Sequence, residues 1–177
     1  HEDHVGGLVA VLQNFSVGLV LDVGLPHPAP SYVRFLRLVE LHRVPYRLAR
    51  RGMRLDLGDG VILSILHPQE PLLRGTSSDA NLNSIVARMT YGSVALLLAG
   101  DAEAATEAQL LDLGDDMQSL ILKVGHHGSR TGTTPAFLDA VRPAAALISV
   151  GEMNPFGHPH AEVIRRLEDA GAAVYRT

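Results

Sequence analysis

From residue 94 onward, strand-length apolar runs alternate with helix-length stretches, and this order restricts the possible folds more than any other feature. Val94–Leu98, Leu120–Val124, Ala144–Val150 and Ala173–Tyr175 read as strands. Ala102–Leu113, Thr134–Val141 and His160–Ala170 read as the helices between them, the last stopped by Gly171. Glu103 and Glu107 favour the dipole of the first of these helices. Upstream, Arg54–Leu57 and Val61–Leu66 flank Gly58-Asp59-Gly60, and Ser84–Tyr91 and Val94–Leu98 flank Gly92-Ser93, so two hairpins are expected. Residues 68–80 read as loop. Hairpins followed by alternating strand and helix predict an α/β fold, in which helices cover a mixed sheet or a pair of sheets.

The N-terminal part is shorter in its signals. Gly6-Gly7 followed by Leu8, Val9, Val11 and Leu12 predicts a short helix leaving a loop. Val17–Val23 reads as a strand buried on both faces. Ser31–Arg43 reads as an amphipathic helix with Ser31 as its N-cap. With 177 residues and no long linker or internal repeat, a single domain over 1–177 is expected. The chain starts at His1 without a methionine, which suggests a piece of something longer. The uncharged run Val5–Leu21 is interrupted by Gln13, Asn14 and Ser16 and falls short of the roughly 20 apolar residues that span a bilayer.

Cysteine is absent, which excludes disulfides, thiolate metal sites and cysteine nucleophiles. Any metal must be held by His, Asp, Glu or backbone oxygen. No G-x-S-x-G elbow is found either. The net charge of −4 supplies no global attraction for nucleic acid. Seven of the 15 basic residues nevertheless fall together: Arg34, Arg37, Arg43, Arg47, Arg50, Arg51 and Arg54. They are a candidate track for a phosphate backbone, or simply a solvated face.

Four segments carry chemistry. His1-Glu2-Asp3-His4, just before a helix, offers imidazoles and carboxylates beside a flexible Gly6-Gly7. The strand Leu96–Leu98 runs through Ala99 into Gly100-Asp101, where the carboxylate can bridge cations or cap the next helix. Lys123-Val124-Gly125-His126-His127-Gly128-Ser129 places two adjacent imidazoles in a glycine turn, one suited to metal and the other to substrate. Gly157-His158-Pro159-His160 precedes the last helix, and either histidine can complete a site or merely cap. Each segment alone has a bland reading as a turn, a cap or a polar surface. Together they sit at element ends that one sheet edge can collect.

These segments resemble a known family. His1-Glu2-Asp3-His4 resembles the end of the metallo-β-lactamase motif HxHxDH, whose first histidine would precede the chain. Asn81–Ser84, the run Leu97–Glu103, Leu122–Ser129 and Gly157–Leu167 resemble the C-terminal nuclease-like domain of the DNA-uptake protein ComEC, along essentially the whole chain. The resemblance implies a metallo-β-lactamase-like αββα sandwich whose N-terminal strands are missing from these residues. It implies two divalent ions, Mn or Zn, and no small organic cofactor. His1, Asp3, His4, Asp101, His127, His158 and His160 would be the ligands, with His126 or His127 and His158 or His160 open as alternatives. Many enzymes of the fold carry a ligand histidine near position 80 or 81, where this chain has Ala80 and Asn81. Asn81 would then be a weaker ligand or an orienting group.

The implied reaction is phosphodiester hydrolysis by a metal-activated hydroxide, a nuclease step during DNA uptake in natural transformation. Asp3, Lys123 and His126 would be catalytic, and Asn81, Ser129 and Arg130 would meet the substrate, here single-stranded DNA. The implied parent is a bacterial inner-membrane protein, with this soluble domain on its extracytoplasmic side. Two other readings compete: a metal-dependent hydrolase of a thioester, lactone or lactam, and a non-catalytic DNA-binding module with a relic metal site.

Overall fold

In a computed structural model describing residues 1–76 and 78–177, the chain divides into two compact units, His1–Ala49 and Arg50–Thr177. The first unit contains α1 (Glu2–Asn14), β1 (Val20–Asp22), α2 (Pro30–Leu41) and β2 (Tyr46–Leu48). Helix α1 starts earlier than expected, so Glu2, Asp3 and His4 lie in its first turn and not in a preceding loop. Two carboxylates at that end suit the positive pole of the helix. Val5, Val9 and Leu12 recur at helical spacing and pack with Val20, Phe35 and Val39 as this unit's core.

The strand expected over 17–23 contracts to β1, which pairs in parallel with β2, a strand the sequence did not signal. Ser31 is not the cap of α2. Ala29 takes that place with Pro30 at the first helical position, and the Ser31 hydroxyl donates to the Glu2 carboxylate instead.

The second unit is a seven-stranded mixed sheet in the order β3 (Arg54–Asp56), β4 (Val61–His67), β5 (Val86–Tyr91), β6 (Val94–Leu98), β7 (Ile121–Lys123), β8 (Ala145–Ile148) and β9 (Ala173–Arg176). The two hairpins produce the antiparallel half, β3 to β6. From β6 to β9 the strands are parallel, as strand–helix–strand crossovers require. The crossover helices are α4 (Ala104–Asp112), α5 (Pro135–Val141) and α6 (Ala161–Asp169). A single turn, α3 (Asp79–Leu82), interrupts the expected 68–80 loop.

The core forms where these elements meet. Leu97, Leu122 and Ala146 are opposite one another on β6, β7 and β8 and fully buried. Leu110, Phe137, Val163 and Leu167 from the three helices close over the same cluster. Burial of each such side chain stabilises the fold by about 1.5–3 kcal/mol. Among the described residues, no helix is long and apolar enough to cross a membrane.

One buried charge ties a loop to this core. Glu107 on α4 is 1% exposed, and its carboxylate accepts the backbone N–H groups of Thr133 and, at 2.9 Å, Thr134. Arg166 donates to the Gly132 carbonyl at 3.0 Å from the other side. Burial pushes the Glu107 carboxyl above the ordinary carboxylate range. Its proton is therefore held more tightly folded than unfolded, so its contribution to stability is full below about 4.5 and is lost as pH rises through the folded value. We expect Glu107→Ala to cost about 3 kcal/mol, because it strands the buried Thr133 N–H and the half-buried Thr134 N–H. Urea unfolding measures this, and the same measurement across pH on Glu107→Gln should lack the slope assigned to this carboxyl.

Candidate metal centre

Strands β6, β7 and β8 run in one direction, so their C-terminal ends share an edge of the sheet. Asp101, the Gly125–Gly128 turn and the loop before α6 all leave from that edge. Such edges are where open α/β sheets collect binding groups.

Three backbone segments lock together there. The His126 N–H donates to the Gly100 carbonyl and the His160 N–H to the Gly128 carbonyl, both at 3.0 Å. Gly100 has φ +56°, and a Cβ there would lie 2.9 Å from the Ile85 carbonyl oxygen. Gly128 has φ +82°, and its Cβ would lie 2.6 Å from Cβ of Pro159. Only glycine permits both the left-handed backbone and the close approach.

His126 and His127 themselves adopt left-handed conformations, with φ 46° and 53°. For non-glycine residues this costs on the order of 1–3 kcal/mol each and persists only where the surroundings enforce it. The result is two adjacent imidazoles with different partners. His127 Nδ1 lies 2.7 Å from the Ser149 carbonyl oxygen. A carbonyl only accepts, so Nδ1 carries the proton and Nε2 holds a lone pair in the neutral ring. That Nε2 is 3.8 Å from an Asp101 carboxylate oxygen.

This separation is too long for a hydrogen bond. It is shorter than the sum of two metal–ligand bonds of about 2.0–2.2 Å, so one cation can bind both atoms. A ring whose other nitrogen donates to a backbone carbonyl is the usual form of a metal-bound histidine. The donor set therefore fits a divalent ion. Asp101 itself is 5% exposed, and its backbone N–H donates to the Ser84 hydroxyl at 3.1 Å. It is not the cap of α4, because that helix starts at Ala104 with Glu103 in the N-cap position.

Glu103 turns its side chain to the site. Its Oε1 accepts from the Asn81 side-chain N–H at 3.0 Å and lies 3.4 Å from His126 Nδ1. Asn81 is 7% exposed, and its carbonyl oxygen has no hydrogen-bond partner among the described residues. The chain Asn81–Glu103–His126 thus orients the imidazole of His126, whose ring lies 5.7 Å from that of His158. Sequence reasoning gave Glu103 only a dipole role. Its position two residues after Asp101 was the available signal. Ser149, the acceptor for His127, had none, because it acts through its backbone.

His158 lies 4.9 Å, ring to ring, from His160. Burial first, then the nearby His160, His126 and His127 rings, hold His158 below the ordinary imidazole range, which favours the neutral form that a metal requires. His160 is the N-cap residue of α6. Both its ring nitrogens face Arg130: the Arg130 N–H donates to Nδ1 at 3.3 Å, and the guanidinium lies 3.2 Å from Nε2.

Lys123 donates to the Val124 carbonyl at 3.1 Å, and burial lowers its pKa against the opposing pull of Asp101. Ser129 is 4% exposed and its hydroxyl lies 3.0 Å from that of Thr131, so it closes the turn.

In the first unit, His4 Nε2 and an Asp3 carboxylate oxygen are 3.9 Å apart on exposed side chains of α1. His1 meets the His27 ring edge-on at 5.9 Å, a partner the sequence reading did not single out. Of the arginine stretch, Arg50 pairs with Glu70, and Arg51 makes a two-pronged bond to Asp115 at 2.8 and 2.9 Å. These two are neutralised within the second unit. We expect Glu103→Ala to weaken binding of Mn²⁺ or Zn²⁺ by about 10- to 100-fold, the usual effect of losing such a support. Calorimetric titration tests this, and unchanged affinity would remove Glu103 from the centre.

No known protein-family profile matches the chain. ComE operon protein 3 of Bacillus subtilis is 29% identical over 99% of the chain. Competence protein ComA of Neisseria gonorrhoeae is 37% identical and recombination protein 2 of Haemophilus influenzae 39% identical, each over 67% of the chain. The chain spans 22%, 17% and 14% of the lengths of these relatives. Among solved structures, a variant of the CmlA beta-hydroxylase matches with a TM-score of 0.60 at 13% identity, over 100% of this chain and 41% of that one. Zinc-bound PqqB from Methylobacterium extorquens matches with a TM-score of 0.55 at 11% identity, over 98% of this chain and 67% of that one. A protein from Parabacteroides distasonis assigned as a metal-dependent hydrolase matches with a TM-score of 0.53 at 12% identity, over 93% and 78%. The chain thus has the metallo-β-lactamase fold and resembles the domain of that fold in the competence protein ComEC.

Proposed function

We propose that the chain is a metal-dependent phosphodiesterase that cleaves single-stranded DNA during DNA uptake. The observation that carries this reading is the His127 ring, fixed through Nδ1 on the Ser149 carbonyl with Nε2 held 3.8 Å from Asp101. That arrangement supports a divalent cation better than any purely structural role. The names of the competence relatives support DNA as the substrate class.

Asp101, His127 and His158 are the proposed ligands of the second unit, with Asn81 and His160 as supporting groups. His1, Asp3 and His4 are proposed as further ligands on their motif alone. When bound, two Mn²⁺ or Zn²⁺ ions supply Lewis acidity and make water nucleophilic near neutral pH. Asp3 is proposed as a catalytic residue on its motif alone. Lys123 and Arg130 offset the charge that develops on the phosphate oxygens. His126, whose Nδ1 lies 3.4 Å from the Glu103 carboxylate, is assigned to the same phosphate. Ser129 keeps the turn that carries both imidazoles closed. In hydrolysis the water oxygen bonds to phosphorus, the P–O bond to the leaving nucleotide breaks, and the water's proton ends on the leaving oxygen. The parent is proposed to be an inner-membrane protein that carries this domain on the extracytoplasmic side.

Cleavage of a single-stranded oligonucleotide with added Mn²⁺ or Zn²⁺ tests the proposal. Asp101→Ala should lower the rate by at least about 100-fold, since even outer supports of a metal cost 10- to 100-fold. Equal rates for the variant and the wild type would end this reading.

A further inference from the structure

The loop between β8 and α6 carries an apolar side chain in an unusual position. Phe156 is 72% exposed, yet its ring is stacked on that of His158, with centroids 5.8 Å apart and planes 27° from parallel. The loop that presents it is built. The Asn154 side-chain oxygen accepts the backbone N–H groups of Phe156 at 3.2 Å and His158 at 2.9 Å. Its amide group donates to the carbonyls of Gly151 at 2.9 Å and His158 at 2.7 Å. One side chain therefore fixes both the exposed aromatic and the candidate ligand. A phenylalanine serving only the core would be turned inward, and a surface residue under no constraint would not need four hydrogen bonds to its loop.

We propose that Phe156 is a stacking platform for a nucleobase of single-stranded DNA, next to the phosphate that is cleaved. The proposal rests on the phosphodiesterase reading above. Chemistry favours a base over other flat or apolar groups here. A phosphate near the imidazoles, offset by Arg130 on His160, leaves its own base within a nucleotide's length, and every base offers a π-face to an aromatic ring. In a duplex both faces of a base are already covered by its neighbours. Phe156 thus selects single strands without reading sequence.

Fluorescence anisotropy in EDTA tests this, because binding is then measured without hydrolysis. Two probes are compared: a short single-stranded oligonucleotide and an abasic strand of equal length and charge. Wild type should bind the base-bearing strand about 5- to 150-fold more tightly, the range for stacking one base. Phe156→Ala should erase that preference, and Phe156→Trp should keep it. Met153→Ala, which alters a 93% exposed residue of the same loop, should also keep it. A wild type that ignores the bases, a Phe156→Ala variant that retains the preference, or an equal loss in Met153→Ala would each overturn the proposal. Hydrolysis is scored separately in the presence of Mn²⁺. A base preference lost in Phe156→Ala without any cleavage by wild type would end the nuclease reading and leave the platform in place.

Discussion

The centre depends on the backbone lacing at the C-terminal ends of three parallel strands. Two hydrogen bonds, His126 to Gly100 and His160 to Gly128, hold segments that are far apart in sequence. The residue that supplies each accepting carbonyl of this lacing is glycine, where a Cβ would lie 2.9 Å from the Ile85 carbonyl oxygen or 2.6 Å from Cβ of Pro159. A single extra methyl group at Gly128 must overcome both a 2.6 Å approach and a left-handed backbone. The side chains that follow inherit their positions from this framework. Asp101 and His127 then stand 3.8 Å apart, and the His158 ring lies 5.7 Å from that of His126.

Electrostatics and strain work in the same direction. Two successive imidazoles in the left-handed region store energy that the surrounding sheet, with its large buried residues, offsets. Desolvation and the neighbouring imidazoles lower the pKa of His158 and so favour its neutral form, the form that binds a cation. Glu107 and Arg166 clamp the loop that follows the histidine turn, so the outer wall of the centre is tied to helices α4 and α6. The polar groups of the edge are thus anchored to the core rather than suspended in solvent.

Much of this was legible in the sequence. Period-2 and 3.6 patterns located both hairpins and the three crossover helices, since long periodic elements bury a continuous face. Three of the four candidate segments, at Asp101, His126–His127 and His158–His160, meet at one sheet edge, and they were visible because glycines and histidines cluster at element ends. Boundaries were less legible. Helix α1 extends back over Glu2–His4 because carboxylates stabilise its first turn, whereas glycines 6 and 7 suggested a loop. β2 is three exposed residues, held by parallel pairing with β1 that no local pattern encodes. The roles of Glu103 and Ser149 were hidden for a related reason. They follow from contacts across 22 or more residues, Glu103 with Asn81 and Ser149 with His127, and such contacts exist only once the sheet has assembled.

The most direct test of the centre is an anomalous-scattering map from crystals soaked in Mn²⁺ or Zn²⁺. The account predicts a strong peak within about 2.0–2.3 Å of an Asp101 carboxylate oxygen and of Nε2 of His127. A map with no peak there, or with metal bound only at distant surface histidines, would contradict it.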